Sequence, residues 1–291
     1  MRKTLAIICA LVVAMSAMAQ SADSVRLVNA YKHRIKLRGA DAYTIRTTLF
    51  DAPQCITVIR FSQEKFRLFP HQPSELTPTS VQSKEQRALF SINACYWDVK
   101  VDKPETYVKC GGEVLWHTLK QTTPRVNGLF KIYDNHAEVV LSNNYPDYKG
   151  EVEDCNDVIA SGPVLIDDGK PYYYEQGYVE KAQASPGKRI PFYTFFTNRH
   201  PRSVVGTNKQ GDIIFLVVDG RHQGWAGGAT IDEMTKICSW LGMHEALNLD
   251  GGGSSTIWSK KYGVMNYPSD NRTYDHNGER KVSSTLLVKR R

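Results

Sequence analysis

Six apolar residues in succession, Ile213 to Val218, end on Asp219-Gly220 and constrain the fold more than any other part of the chain. A half-solvated strand alternates polar and apolar side chains, whereas a run with no polar position belongs to a strand covered on both faces. A strand-like run, 203–207, and a turn at 208–211 precede it. After it, the glycine-rich stretch 220–228 leads into Thr230-Ile-Asp-Glu233, a capping box with Asp232 and Glu233 where a helix dipole favours acids. Met234, Ile237, Cys238 and Leu241 form one apolar stripe at helical spacing, Gly242 is a natural stop, and a second strand at 245–250 ends on Asp250-Gly251. Strand, helix, strand at this length is the form of a crossover between parallel strands. Asp219 and Asp250 are therefore expected at one edge of a sheet, side by side if the strands are neighbours, where such sheets place ligands. Antiparallel pairing of 203–207 with the apolar run would bring Arg202 close to Asp219.

The rest of the chain reads mainly as short strands. Runs at 43–50 and 54–61 are strand-like; 128–133 and 137–141 flank Asp134-Asn135, and 158–166 and 171–174 flank Asp167-Asp168-Gly169, as two hairpins. A short helix is expected at 80–88, capped by Thr79 with Gln82 three residues on. The expected fold is α+β: a strand-rich mixed sheet with a βαβ crossover near 212–250 and helices packed on the sheet.

Arg2 and Lys3, the apolar run 5–14 and Ala17-Met18-Ala19 have the form of a secretory signal cleaved before Gln20. The run is shorter than the roughly 20 apolar residues a spanning helix needs, so no stable membrane insertion is expected. Residues 1–19 are read as a signal peptide and 20–291 as one domain, exported to the periplasm or the extracellular space. Cleavage removes two cations and lowers the formal net charge from +7 to +5. Lys and Arg are scattered apart from Lys289-Arg290-Arg291, which argues against a nucleic-acid partner. Five cysteines follow residue 19, and an odd count in an oxidising compartment predicts at least one free thiol, with Cys238 on the buried helix face. No CxxC is present, and His200, His222 and His244 lack a ligand spacing, so neither a metal nor another cofactor is expected.

Asp250-Gly-Gly-Gly-Ser254-Ser255-Thr256 places an acid, three glycines and three hydroxyls together. Glycines permit close backbone approach, and successive amides can hold an anion. No Gly-Lys-Ser/Thr follows, so this is not the phosphate loop of nucleotide hydrolases. Asp219-Gly220-Arg221 and Arg202 add guanidinium groups suited to phosphate or carboxylate.

Together these segments resemble the phosphodiester glycosidase family over most of 20–291, most densely from 158 to 288. His200-Pro-Arg-Ser-Val-Val-Gly206 resembles its Arg-Thr-Ala-x-Gly stretch, Asp219-Gly220-Arg221 its Asp-Gly-Arg/Gln, and 247–256 its glycine signature almost letter for letter. Ala160-Ser161-Gly162-Pro163 is similar to its Ser-Gly element, and Glu279-Arg280-x-x-Ser283 to its closing motif. The resemblance implies hydrolysis of a sugar-1-phosphodiester at the glycosidic C–O bond, with a sugar-phosphodiester or glycan as partner. It implies Asp219, Asp250 and Glu279 as catalytic candidates. Asn93, Ser161, Gly162, Arg202, Arg221, Gly251, Gly252, Gly253, Ser254, Ser255 and Arg280 follow as substrate-binding candidates. Asn93-Ala94-Cys95-Tyr96 departs from the family's Asn-Gly-Gly-aromatic element at both glycines, which implies a different pocket shape and substrate choice. Two other classes stay open: a non-catalytic envelope-glycan binding protein on the same scaffold, and a metal-dependent phosphodiesterase.

Overall fold

Strand Ile213–Val218 lies inside an eight-stranded sheet with the order Arg34–Leu37, Ala40–Leu49, Ala52–Phe61, Ile213–Val218, Arg202–Asn208, Met243–Asn248, Val164–Asp167, Lys170–Pro171. The computed structural model describes residues 21–291 except 32, 33, 38, 99, 101, 118–124, 143, 145 and 146; the signal-like segment 1–19 lies outside the described residues. All six residues of Ile213–Val218 and all seven of Arg202–Asn208 are buried. Alternate side chains go to opposite faces. Ile214, Leu216, Val218 and Val204 pack with Ile231, Met234, Ile237 and Cys238 of helix Ile231–Trp240. Ile213, Phe215, Val217 and Val205 pack on the other face against Ile92, Phe130, Ile159 and Leu286, which come from two five-stranded sheets. The unbroken apolar run follows from cover on both faces. Truncating Leu216 to Ala would cost about 2–5 kcal/mol.

The strand–helix–strand unit forms as expected, with one strand interposed. Every strand pairing among the described residues is antiparallel, and Arg202–Asn208 pairs with Ile213–Val218 on one side and Met243–Asn248 on the other. The crossover strands are parallel to each other but are not neighbours. Both halves of the capping box are made: Thr230 Oγ1 accepts from Glu233 N at 3.1 Å, and Glu233 Oε2 accepts from Thr230 N at 3.0 Å.

Two local expectations change. Residues 158–166 form two strands in different sheets, Asp157–Ser161 and Val164–Asp167, parted at Gly162-Pro163. The short helix runs Thr79–Glu85 with Pro78 at its cap position, so Thr79 is its first residue and not its cap. Instead, Glu279 Oε1 accepts the amide of Ser80 at 2.9 Å from 199 residues away. Gln82 turns back to donate to Thr77 O at 2.7 Å. All five cysteines of the described residues are unpaired, and Cys238 is fully buried. No helix among the described residues is long and apolar enough to cross a membrane.

Candidate active site

The sheet brings three of the candidates to one edge. Asp219 follows the C-terminal end of Ile213–Val218, Asp250 follows that of Met243–Asn248, and Arg202 opens the antiparallel strand between them, opposite Val218. The glycine loop turns there as a single 3-10 turn, Gly252–Ser254. Gly252 needs its glycine, since its φ is +64° and a Cβ would stand 2.9 Å from Arg221 Nη2. At Gly253 a Cβ would meet Asp270 Oδ1 at 2.5 Å and Arg280 Nη2 at 2.6 Å. The expected anion nest is smaller than its sequence, because the Gly252 amide already donates to Pro201 O at 2.8 Å.

Over this loop lies a pocket of about 220 Å³, lined by Asp250, Gly251 and Gly252 together with Arg125, Arg202, Arg221 and Arg280. Tyr96, Phe195, Thr194 and His200 complete it. Arg202 is 1% exposed; Nε donates to Ala229 O at 2.9 Å, and Nη2 to Phe195 O at 2.6 Å and Asn198 O at 3.2 Å. Burial pushes its pKa down to about 10. No carboxylate pairs with it among the described residues. Arg221 likewise has no ion pair or hydrogen bond among the described residues, and its pKa is lowered by desolvation and then by Arg280. Arg280 is paired with Asp270 through Nη2 at 2.5 Å. Arg125 is paired with Glu105 and lies over the Tyr96 ring, 4.1 Å from its centroid. Two guanidinium groups thus have a carboxylate partner and two have none among the described residues, which leaves positive charge in the pocket of the kind that suits an anion.

Asp250 is the carboxylate among the lining residues. Desolvation pushes its pKa up to about 6, against the opposing pull of Ser254, Arg125 and Arg280. His200 is pushed the other way, below its ordinary value, by burial and then by Arg202 and Arg221, and so presents a neutral imidazole at neutral pH.

Beneath the pocket, Asn93 donates from Nδ2 to Asp250 O at 2.6 Å and accepts at Oδ1 from Ser203 Oγ at 2.8 Å and Thr256 N at 3.0 Å. Asn248 Nδ2 reaches Tyr96 Oη at 2.7 Å and Gly162 O at 3.0 Å, and Tyr96 donates to the same carbonyl at 2.6 Å. Ser161 Oγ donates to Asn248 O at 2.8 Å. Asn93, Ser161 and Gly162 therefore hold the floor and do not line the pocket. Ser254 is buried with its hydroxyl on the Asp250 carboxylate, which it helps to keep ionised, and Ser255 is buried with a hydroxyl that meets no hydrogen-bond partner among the described residues. Ala94 and Cys95 turn into the core, and it is Tyr96 that reaches the pocket.

Asp219 and Glu279 point elsewhere. Asp219 is 1% exposed and accepts from Asn266 Nδ2 at 2.8 Å and Tyr267 N at 3.1 Å. Burial pushes its pKa up to about 6, and these donors oppose the rise. It anchors the segment after Met265 and does not line the arginine pocket. Glu279 lines a separate cleft of about 730 Å³ with Ser80, Lys84, Trp258 and His276, where none of the pocket arginines stands. Of the metal-ligand candidates, His200 lines the pocket, His222 Nε2 lies 3.3 Å from Tyr267 O, and His244 pairs with Asp168 at 3.0 Å. Sequence reasoning missed Arg125, Asn248 and Asn266. Asn248 lies inside the glycine signature and could have been found there; nothing local marks the other two.

A profile of the phosphodiester glycosidase family matches residues 86–289. A search of the curated proteins by sequence finds no match. Among solved structures, a hypothetical protein from Synechocystis superposes with a TM-score of 0.62 at 15% identity, covering 87% of this chain and 62% of the other. The chain thus spans under two thirds of that protein's length. The catalytic domain of zebrafish N-acetylglucosamine-1-phosphodiester α-N-acetylglucosaminidase, auto-inhibited by its pro-peptide, gives 0.67 at 18% identity, covering 90% and 87%. An exported-protein candidate from Burkholderia pseudomallei gives 0.61 at 14% identity, covering 81% and 74%. These structures share the fold, and with the profile spanning most of the sequence the chain belongs to the phosphodiester glycosidase family.

Proposed function

We propose that this protein is an exported hydrolase that cleaves a sugar-1-phosphodiester at the glycosidic C–O bond. One observation carries the reading: a single carboxylate, Asp250, shares a small pocket with four arginines. Arg221 and Arg280, backed by Arg125 and the buried charge of Arg202, hold the phosphate. Asp250, with its pKa near 6, is ionised at neutral pH and faces the anomeric carbon. As the C1–O bond breaks, its electron pair leaves with the phosphate, and the arginines stabilise the added charge. A phosphomonoester is a weakly basic leaving group, so no strong acid is needed to protonate it. Water supplies the hydroxyl at C1 and its proton passes to Asp250, giving free sugar and phosphomonoester. Asp219 and Glu279 serve as positioning groups, one for the segment after Met265 and the other for helix Thr79–Glu85.

Hydrolysis of a sugar-phosphodiester panel in ¹⁸O-labelled water tests this. Label in the sugar and none in the phosphate is expected, with kcat lowered 10³-fold or more in Asp250→Asn. Label in the phosphate, with loss of activity in chelator, would establish P–O cleavage by a metal-dependent phosphodiesterase. Binding without turnover would establish a glycan-binding protein. Export is tested by the N-terminal residue of protein recovered outside the cytoplasm, expected at Gln20.

A further inference from the structure

On the small sheet Gly263–Val264, Ile257–Ser259, Phe90–Asn93, Thr285–Arg290, Phe66–His71, the active-site loop occupies one end of three strands. Asn93 closes its strand there, Thr256 enters the next, and Thr285 pairs with Asn93. At the other end of the same strands the fold gathers five cations from three distant stretches of sequence: Arg87, Lys260, Lys261, Lys289 and Arg290. They line a groove of about 430 Å³. Its remaining lining residues are Leu37, Leu89 and Phe90, and no carboxylate is among them. None of Arg87, Lys260, Lys289 and Arg290 has an ion pair among the described residues. Arg290 lies 5.7 Å from the Phe66 ring centroid, and Lys289 Nζ 5.1 Å from that of Phe69, so aromatic faces help to hold the cations at the rim.

We propose that this groove docks the protein onto a membrane surface rich in acidic phospholipid. The cations meet the phosphate headgroups and the Leu89–Phe90 floor takes the first carbons of an acyl chain. Two features select this occupant. Arg87, Lys260, Lys289 and Arg290, gathered at one end of the sheet without an ion pair among the described residues, are drawn to an anionic surface, and each contributes roughly fivefold in affinity. An apolar floor serves an amphiphile and gives nothing to a purely polar polyanion. The strand geometry adds a consequence. The groove and the active-site loop are separated by a four-residue strand, Phe90–Asn93, on the order of 10–13 Å along the sheet. They lie at opposite strand ends, so a docked molecule would turn its arginine pocket away from the bilayer.

Cosedimentation of the protein lacking residues 1–19 with vesicles of phosphatidylglycerol and phosphatidylcholine, against phosphatidylcholine alone, tests the proposal. Binding to the acidic vesicles is expected. It should weaken about 100-fold in K260E/K261E/K289E, with turnover of a soluble substrate unchanged. Leu89→Gln, which keeps the charge, should weaken binding to acidic vesicles while leaving heparin binding unchanged. Equal affinity for heparin and acidic vesicles, with no effect of Leu89→Gln, would overturn the lipid assignment and leave a general polyanion surface. Absence of binding to acidic vesicles at low salt by a protein that is folded by circular dichroism would overturn the proposal altogether. Failure of the catalytic reading would leave these outcomes unchanged, because none of the substituted residues lines the arginine pocket.

Discussion

Asn93 ties the main-chain carbonyl of Asp250, at 2.6 Å, to the hydroxyl of Ser203 and the amide of Thr256. One side chain fixes the acid, the strand that begins at Arg202 and the exit of the glycine loop. A fully buried amide with both ends engaged leaves orphaned partners when it is removed.

Asn93→Asp keeps the shape and replaces the donor to Asp250 O by an oxygen. The loop should lose its anchor, with kcat reduced at least tenfold and KM changed less, because Arg280 keeps Asp270 and Arg125 keeps Glu105 as partners. Stability should fall by about 2–3 kcal/mol. Denaturant unfolding beside steady-state kinetics separates the two effects; a variant with normal kcat would remove Asn93 from the positioning role.

Asp250 should show a conflict between stability and activity. Its folded pKa is raised from 3.8 to about 6. A raised carboxyl pKa means that the native state holds the proton more tightly than the unfolded chain does. Its contribution to stability is complete below pH ~4 and is lost as pH rises to ~6. Asp250→Asn removes the ionised form and should gain up to about 3 kcal/mol at pH 7, less whatever the open side of the pocket screens. The same pKa predicts that wild-type kcat/KM falls tenfold per unit below pH ~6. Melting curves across pH 4–8 for both proteins, compared with the activity profile, check both limbs. A less stable Asn variant would show that the arginines outweigh desolvation.

Glu279 gives a contrasting case. Its carboxylate accepts the Ser80 amide at the start of helix Thr79–Glu85 and is held above its ordinary pKa by burial. Glu279→Gln keeps an acceptor and should cost little; Glu279→Ala should cost about 1 kcal/mol, the usual cost of losing a cap. Neither should lower kcat more than threefold. A collapse of kcat in Glu279→Gln with an unchanged melting temperature would restore Glu279 as a catalytic group.

Local patterns revealed the parts of this fold that depend on neighbours in sequence. The apolar run at 213–218 announces burial on both faces, and Thr230 with Glu233 announces a helix start; both follow from periodicity and capping chemistry. Pairing across the sheet was less accessible. A strand has two edges, and in Ile213–Val218 the hairpin with Arg202–Asn208 fills one while Ala52–Phe61 fills the other. The crossover strand Met243–Asn248 therefore has to skip a position. Side-chain direction was less accessible still. Glu279 and Arg280 are chain neighbours and line different clefts, while Asp219 and Asp250 share a sheet edge and only the second lines the arginine pocket. Arg125 acquires its place from Tyr96 and Glu105, which no spacing connects to it.

Arg202 and Arg221 both line the pocket without a carboxylate partner, yet they should fail in different ways. Arg202 serves three backbone carbonyls, those of Ala229, Phe195 and Asn198. A lysine ammonium cannot reproduce that planar fork, so Arg202→Lys should leave carbonyls unsatisfied and cost about 2–4 kcal/mol of stability. Activity should fall on every substrate alike, because Arg202 stands at the strand start beside Pro201, whose carbonyl holds Gly252. Arg221 has no such duties: it is exposed and unpaired among the described residues, and its guanidinium rests against Gly252. Arg221→Ala should leave the melting temperature within about 2 °C and lower kcat/KM on a sugar-1-phosphodiester by about 10²-fold. Hydrolysis of an aryl glycoside of the same sugar, which carries no phosphate, should fall less than threefold. The comparison requires that the aryl glycoside be turned over through Asp250, which Asp250→Asn checks on both substrates. Equal losses on the two substrates in Arg221→Ala would mean that the exposed guanidinium orients the loop and does not hold the phosphate, and the phosphate would then have to be sought at Arg125 and Arg280.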